Sequence, residues 1–259
     1  MDMIRSGTAM LASVNSVAEA RLVVEHGADI VDLKDPARGA LGALEIDIVR
    51  DIVAALEGSV IVSATVGDLP AMRPEEVKAA VKRTAQTGVD IVKVGFFSAP
   101  DAAECITALA EEIRDGIRLV AVLFADQQPQ RAWLPRFAGE GWYGVMLDTA
   151  GKDGRTLRNH LGDEELREFV SAARCLGLAV GLAGSLRRDD IAHLLPFHSD
   201  YLGFRGALCG ASARTGNIDA AAVMRIRAAI PLSPRCRFGA QASSDGEAPH
   251  RGGVARSSA

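Results

Sequence analysis

The chain has 259 residues, 48% of them hydrophobic and 24% charged, enough apolar material for one large domain or two small ones. Its 29 basic and 33 acidic residues leave a net charge of −4, with the basic ones scattered, which excludes the basic stripe of a nucleic-acid-binding surface. The four cysteines (Cys105, Cys175, Cys209, Cys236) form no C-x-x-C pair, and no apolar stretch approaches the roughly 18 residues of a membrane span, so a disulfide framework, a zinc site and a membrane anchor are all disfavoured.

Short β-branched runs recur along the chain, each followed by a longer stretch of helical periodicity. In order they read "MLASV", "DIVDLK", "SVIVSATV", "DIVKVGF", "LVAVLFA", "YGVMLDT", "AVGLAG" and "YLGFR". Helices are predicted over 16–26, 46–57, 74–87, 100–114, 163–176 and 217–229. Most open on a turn or capping residue such as Ser16, Pro74 or Asp163, and several close on glycine, as at Gly27, Gly88 and Gly177. Helical periodicity is weakest after the fifth and seventh strands. An eightfold β-α alternation points to an α/β protein, a single (β/α)8 TIM barrel over residues 8–230, in preference to an open doubly wound sheet. Residues 231–259 lack apolar periodicity and are rich in Pro, Gly, Ser, Ala and Arg, the composition of a disordered tail.

"GADIVDLK" and "GVDIVKVG" repeat the same helix stop, loop and strand, and "HSDYLGFR" is a looser third copy. Side chains alternate faces along a strand, so Asp32 and Lys34 point the same way, and the repeat puts Lys93 in phase with them. All three are expected to face the barrel axis. Strand exits carry further charges at Asp35, Asp126, Asp148, Lys152 and Asp153. In a parallel barrel, charges at the C-terminal ends of strands belong to the active-site mouth. A buried lysine tends toward a neutral, nucleophilic amine while a nearby carboxylate holds another lysine charged, a combination suited to Schiff-base chemistry with a proton shuttle. A structural ion pair is the competing reading of Asp32 with Lys34.

The loops after the last two strands, "GLAGSLRRDD" and "GFRGALCG", bring glycines where barrels bind phosphate through backbone amides. Gly184 and Ser185 are candidates for one half of such a site, and Gly206 with Arg205 for the other. The five histidines have no metal-ligand spacing, and no G-x-S-x-G or G-x-G-x-x-G follows a strand, so neither metal nor cofactor is expected. The expected partner is a small phosphorylated substrate, with no nucleic acid and no membrane. A cytoplasmic homo-oligomer is the expected setting.

The set "DLKDP", "VKVGF", "MLDTAGKDG", "AGSL" and "LGFRGALC" resembles the (5-formylfuran-3-yl)methyl phosphate synthase family of methanogens and methylotrophs, over roughly residues 10 to 230. The resemblance implies a TIM barrel that joins two molecules of glyceraldehyde 3-phosphate into 4-(hydroxymethyl)-2-furancarboxaldehyde phosphate, with loss of phosphate and water, on the way to a methanofuran-type cofactor. It also implies Lys34 as the Schiff-base residue and Lys93 as proton acceptor, with Asp32, Asp148 and Lys152 completing the site. Three other readings stay open. An orotidine-phosphate-decarboxylase-like barrel would want an aspartate where Ala37 stands, and a class I aldolase would want its lysine on the sixth strand. A phosphate-metabolite sensor would need only the glycine loops.

Overall fold

The computed structural model describes residues 7–151, 154–210 and 214–231. Eight strands, β1 (Ala9–Val14), β2 (Ile30–Leu33), β3 (Ile61–Thr65), β4 (Ile91–Phe96), β5 (Leu119–Phe124), β6 (Gly144–Asp148), β7 (Ala179–Leu182) and β8 (Tyr201–Phe204), pair in parallel in chain order. β8 pairs back onto β1 and closes the ring. The helices follow as α1 (Val17–Glu25), α2 (Ile46–Leu56), α3 (Pro74–Ala85), α4 (Ala102–Ala108), α5 (Ala110–Arg114), α6 (Leu134–Gly139), α7 (Asp163–Cys175), α8 (Arg188–Leu194) and α9 (Ala220–Ala229). This is the (β/α)8 barrel that the alternation predicts.

Helix starts follow capping chemistry. The Ser16 hydroxyl accepts from the Glu19 amide to open α1, and the Asp219 carboxylate accepts from the Ala222 amide, which delays α9 to Ala220 rather than 217. The helix predicted over 100–114 is two, because the backbone at the fully buried Leu109 (φ −91°, ψ 2°) leaves helical geometry. After β5 and β7 the helices have only 6 and 7 residues, too short to show a period of 3.6 in sequence. Among the described residues no helix is long and apolar enough to cross a membrane. The barrel ends with α9 and the buried Ile230, and the expected tail lies outside the described residues from 232 onward.

Each strand sends alternate residues outward against the helices and inward to the axis. The outward set, such as Val31, Leu33, Val92, Val94 and Leu147, belongs to the main core with the helix faces. The inward set of Leu11, Ile30, Ile91, Val120, Val122 and Met146 forms a second apolar cluster that plugs the barrel. The sequence repeat has a structural cause. Asp29, Asp90 and Asp200 each precede a strand by one residue, and each exchanges two hydrogen bonds with the preceding strand. Their amides donate to the carbonyls of Met10, Val62 and Val180, and their carboxylates accept from the amides of the same residues at 2.8, 2.8 and 2.7 Å. Gly27 and Gly88 supply the positive φ that ends the helix just before; in the third copy His198 adopts it (φ 57°). The staple fixes where each strand begins, and hence which of its residues face the axis.

Candidate active site

Strand register builds the site from below. Ser13, Asp32 and Ser63 stand side by side on β1, β2 and β3, all facing inward. The two hydroxyls donate to the Asp32 carboxylate, Ser13 Oγ at 3.0 Å and Ser63 Oγ at 2.7 Å. Lys93 Nζ, reaching across from β4, donates to Asp32 Oδ1 at 2.9 Å. Asp32 is 0% exposed and Lys93 2%. Burial alone would push the Asp32 carboxyl up, but the charges of Lys93 and Lys34 and the Ser63 hydrogen bond outweigh it and hold the group below the usual carboxylate range. Burial pushes the Lys93 ammonium down and the nearby Lys34 charge adds to that, while Asp32 only partly offsets it. The pair is thus an ionised carboxylate beside an amine that gives up its proton more readily than in water.

One layer nearer the mouth, Lys34 follows the end of β2 and Asp148 ends β6. These strands are diametrically opposed in an eight-membered ring, so their 3.6 Å contact between Lys34 Nζ and Asp148 Oδ2 crosses the axis and floors the mouth. Asp148 Oδ1 accepts from its neighbour Thr149's amide at 2.7 Å. Asp126, at the exit of β5, accepts from the amides of Ala150 and Gly151 at 2.8 and 2.6 Å and so shapes the "DTAG" loop instead of reaching the cavity. Asp35 caps the turn after β2 through the Ala37 amide. Lys152 and Asp153 lie outside the described residues.

Above this floor opens a cavity of about 650 Å³, lined by Lys34, Asp148, Gly184, Ser185 and Gly206 among others. Gly184 has φ 107°, and a Cβ there would come within 2.9 Å of the Thr149 side chain, so only glycine fits. No protein acceptor takes the Gly184 or Ser185 amide among the described residues, and both remain available to an anion. Arg205 also borders the cavity, but its guanidinium is committed elsewhere. It pairs with Glu19 and donates to the carbonyls of Ser13, Arg214 and Gly216. It therefore braces the loop after β8, and the charge that the sequence assigns to phosphate is engaged by Glu19.

Of the sequence candidates, Asp32, Lys34, Lys93 and Asp148 come together as one polar column, and Gly184, Ser185 and Gly206 border the space above it. Lys93 does not line that space; Lys34 does. Sequence reasoning missed Ser13 and Ser63, although both stand in phase with Asp32 inside apolar strands, and it missed Arg214, which nothing in its local sequence marks. Among the described residues no three His, Cys, Asp or Glu side chains gather as a metal-ion cage.

Solved structures similar to this fold include phosphoribosyl anthranilate isomerase from Thermus thermophilus, with a TM-score of 0.60 and 16% identity over 85% of this chain and 97% of that one. A 3-hexulose-6-phosphate synthase matches at 0.58 with 18% identity over 86% and 100%. These likenesses concern the fold alone. Sequence relatives are nearer. A Methylorubrum extorquens protein provisionally named a (5-formylfuran-3-yl)methyl phosphate synthase is 42% identical over 227 residues, 87% of this chain and 93% of its own. The (5-formylfuran-3-yl)methyl phosphate synthase of Methanothermobacter thermautotrophicus is 37% identical over 233 residues, 84% and 97% of the two chains. The family model described as 4-HFC-P synthase matches residues 10–227, from β1 into α9 and across every residue of the polar column, and the chain belongs to that enzyme family.

Proposed function

We propose that the chain condenses two molecules of glyceraldehyde 3-phosphate into (5-formylfuran-3-yl)methyl phosphate, which is 4-(hydroxymethyl)-2-furancarboxaldehyde phosphate, through an imine at Lys34. Atoms balance when one inorganic phosphate and two waters leave. The product would serve a methanofuran-type cofactor in the cytoplasm. Family membership supports the product, and one observation carries the mechanism: of the two lysines in the polar column only Lys34 opens onto the cavity.

Lys34 Nζ attacks a triose carbonyl, forming the C–N bond as the carbonyl oxygen leaves as water. Asp148, 3.6 Å away, is placed to take the ammonium proton and return it to that oxygen. The iminium then draws electrons from the adjacent carbon, so that one triose is isomerised, adds to the second in an aldol step, and loses phosphate and water as the ring closes. Asp32, held ionised, stabilises the cation on Lys34 from below, and Lys93, whose burial favours the neutral amine, accepts a proton in that form by way of Asp32. Glycine-loop amides at Gly184 and Ser185 would hold a substrate phosphate.

The test is to give the purified protein glyceraldehyde 3-phosphate alone, follow furan-aldehyde absorbance in the near ultraviolet, and reduce a parallel sample with borohydride for peptide mass analysis. The expected result is a furan chromophore with the reduced adduct on Lys34, and neither in Lys34→Ala. An adduct on Lys93 or Lys152 would overturn the assignment of the nucleophile. Absence of both chromophore and adduct would overturn the reaction itself.

A further inference from the structure

Two triose phosphates bring two phosphoryl groups, each carrying about −1.5 to −2 at neutral pH, into one cavity. The glycine loops after β7 and β8 offer a single cradle, on one side of the mouth. Most cations around the cavity are committed or peripheral. Lys34 faces Asp148, and Arg205 is saturated by Glu19 and three carbonyls. Arg187 donates to the Gly154 carbonyl, the exposed Arg225 lies 3.8 Å from Asp219, and Arg188, exposed at the start of α8, stands on the β7 side of the mouth with the glycine cradle. Arg214 is different. It is half-buried on the cavity wall, and no carboxylate lies within ion-pair distance of it among the described residues.

Its seat is built. Arg214 Nη2 donates to the Gly39 carbonyl at 2.8 Å, and its own carbonyl accepts from Arg205 Nε at 2.8 Å. Gly39 belongs to the loop after β2, which Asp68 pins by accepting from the amides of Ala40 and Leu41 at 3.0 and 2.9 Å. Gly39 has φ 114°, and a Cβ there would stand 1.9 Å from Asp68 Oδ2, so this loop tolerates only glycine. One edge of the guanidinium is thereby fixed to the β2 side of the mouth, three strands around the ring from β7, and its other N–H groups have no protein acceptor among the described residues. A planar fork held this way suits two oxygens of one phosphoryl group.

We infer that Arg214 binds the phosphoryl group of the second triose phosphate, forming with the Gly184 and Ser185 amides a two-pole cavity that spans both substrates. This rests on the condensation proposed above for its second phosphate, but its test does not depend on turnover. Glycerol 3-phosphate carries the same phosphoryl group and no carbonyl, so it binds without forming an imine. Calorimetric titration with it should show two sites per chain in the wild type. Arg214→Gln should show one, with the dissociation constant of the remaining site unchanged, which a general collapse of the loops would not leave intact. Arg225→Gln should keep both.

Arg214→Lys keeps the charge but not the fork and should weaken the second site by about tenfold or more while sparing the first. If Arg214→Gln does not fold, this variant decides the matter, and an unchanged second site in it overturns the inference. A single site in the wild type, or two in Arg214→Gln, also overturns it. The two ideas fail separately. A wild type that makes furan while Arg214→Gln keeps both sites sinks only the Arg214 pole. A wild type that makes no furan while Arg214→Gln loses one site leaves the pole standing and removes the reaction.

Discussion

The base and the mouth of this barrel use the same residue types for opposite purposes. At the base, Asp29, Asp90 and Asp200 turn their carboxylates onto backbone amides of the neighbouring strand, hydrogen bonds that set strand starts. Three residues on from Asp29, within β2, Asp32 is fully buried and holds two hydroxyls and a lysine. A carboxylate at the base meets its backbone partner on a single neighbouring strand. One in the column beneath the mouth needs partners from three other strands, and replacing such a buried ionic cluster by packed hydrophobic residues is often neutral or stabilising. The difference suggests that the base carries the fold and that the mouth is kept for chemistry.

Cutting the column sharpens that contrast most. Lys93→Met leaves Asp32 buried with its strongest partner gone, and breaking one side of such a pair costs about 3–5 kcal/mol. Loss of a positioned proton acceptor should lower furan formation by roughly 10² to 10⁴. Replacing both, Asp32→Leu with Lys93→Met, should return stability to the wild-type level or raise it by about 1–4 kcal/mol, with activity still absent. Urea unfolding alongside the furan assay reads both quantities. A double variant as unstable as the single one would mean that the pair is structural, and the contrast between base and mouth would fail.

Titration gives the next effect. Asp32 has its folded pKa lowered, so its contribution to stability is fully present above its unfolded value of about 3.9 and is lost as pH falls through the folded value. The unfolding free-energy difference between the wild type and Asp32→Asn should therefore shrink as pH falls below about 4. On the alkaline side the sign reverses. Lys93 already has a lowered pKa, and without Asp32 only the more distant Asp148 charge opposes its burial, so Asp32→Asn should gain stability as pH rises and Lys93 sheds its proton. A difference that stays constant down to pH 2 would show that the Asp32 charge has no part in holding the column together.

Much of this was legible in the sequence because the relevant rules are local. The eight strands, the inward phase of Asp32, Lys34 and Lys93, and the glycine helix stops follow from period, repeat and turn chemistry within single segments. What was not legible depends on the ring closing. That Lys34 meets Asp148 follows from β2 lying opposite β6, and that Arg205 is engaged follows from Glu19, 186 positions away in sequence. Ser13 and Ser63 were readable in principle, as polar residues in phase with Asp32, but hydroxyls in strands are common enough to pass as packing. Arg214 owes its place to the loop after β2 and carries no motif of its own. The two short helices after β5 and β7 escaped because fewer than two turns cannot display a helical period.

The smallest effects lie at the base, and they grade with burial. Asp200 is 6% exposed, and its carboxylate accepts from the amide of the fully buried Val180 while lying 3.4 Å from Arg174. Asp200→Ala strands that amide where water does not reach, so the loss should approach that of a charged hydrogen bond, about 1.5–3 kcal/mol. Asp90 is exposed, and water can take its place at the Val62 amide once the side chain is gone. Asp90→Ala should therefore cost only about 0.5–1.5 kcal/mol, the net value of a hydrogen bond exchanged with solvent. Because both act on strand starts far from the cavity, furan formed per folded molecule should equal that of the wild type in each, and the loss should appear only in the denaturation midpoint. A fall in turnover for Asp90→Ala comparable to that of Lys93→Met would show that strand starts control the chemistry, and the separation of the two ends would have to be abandoned.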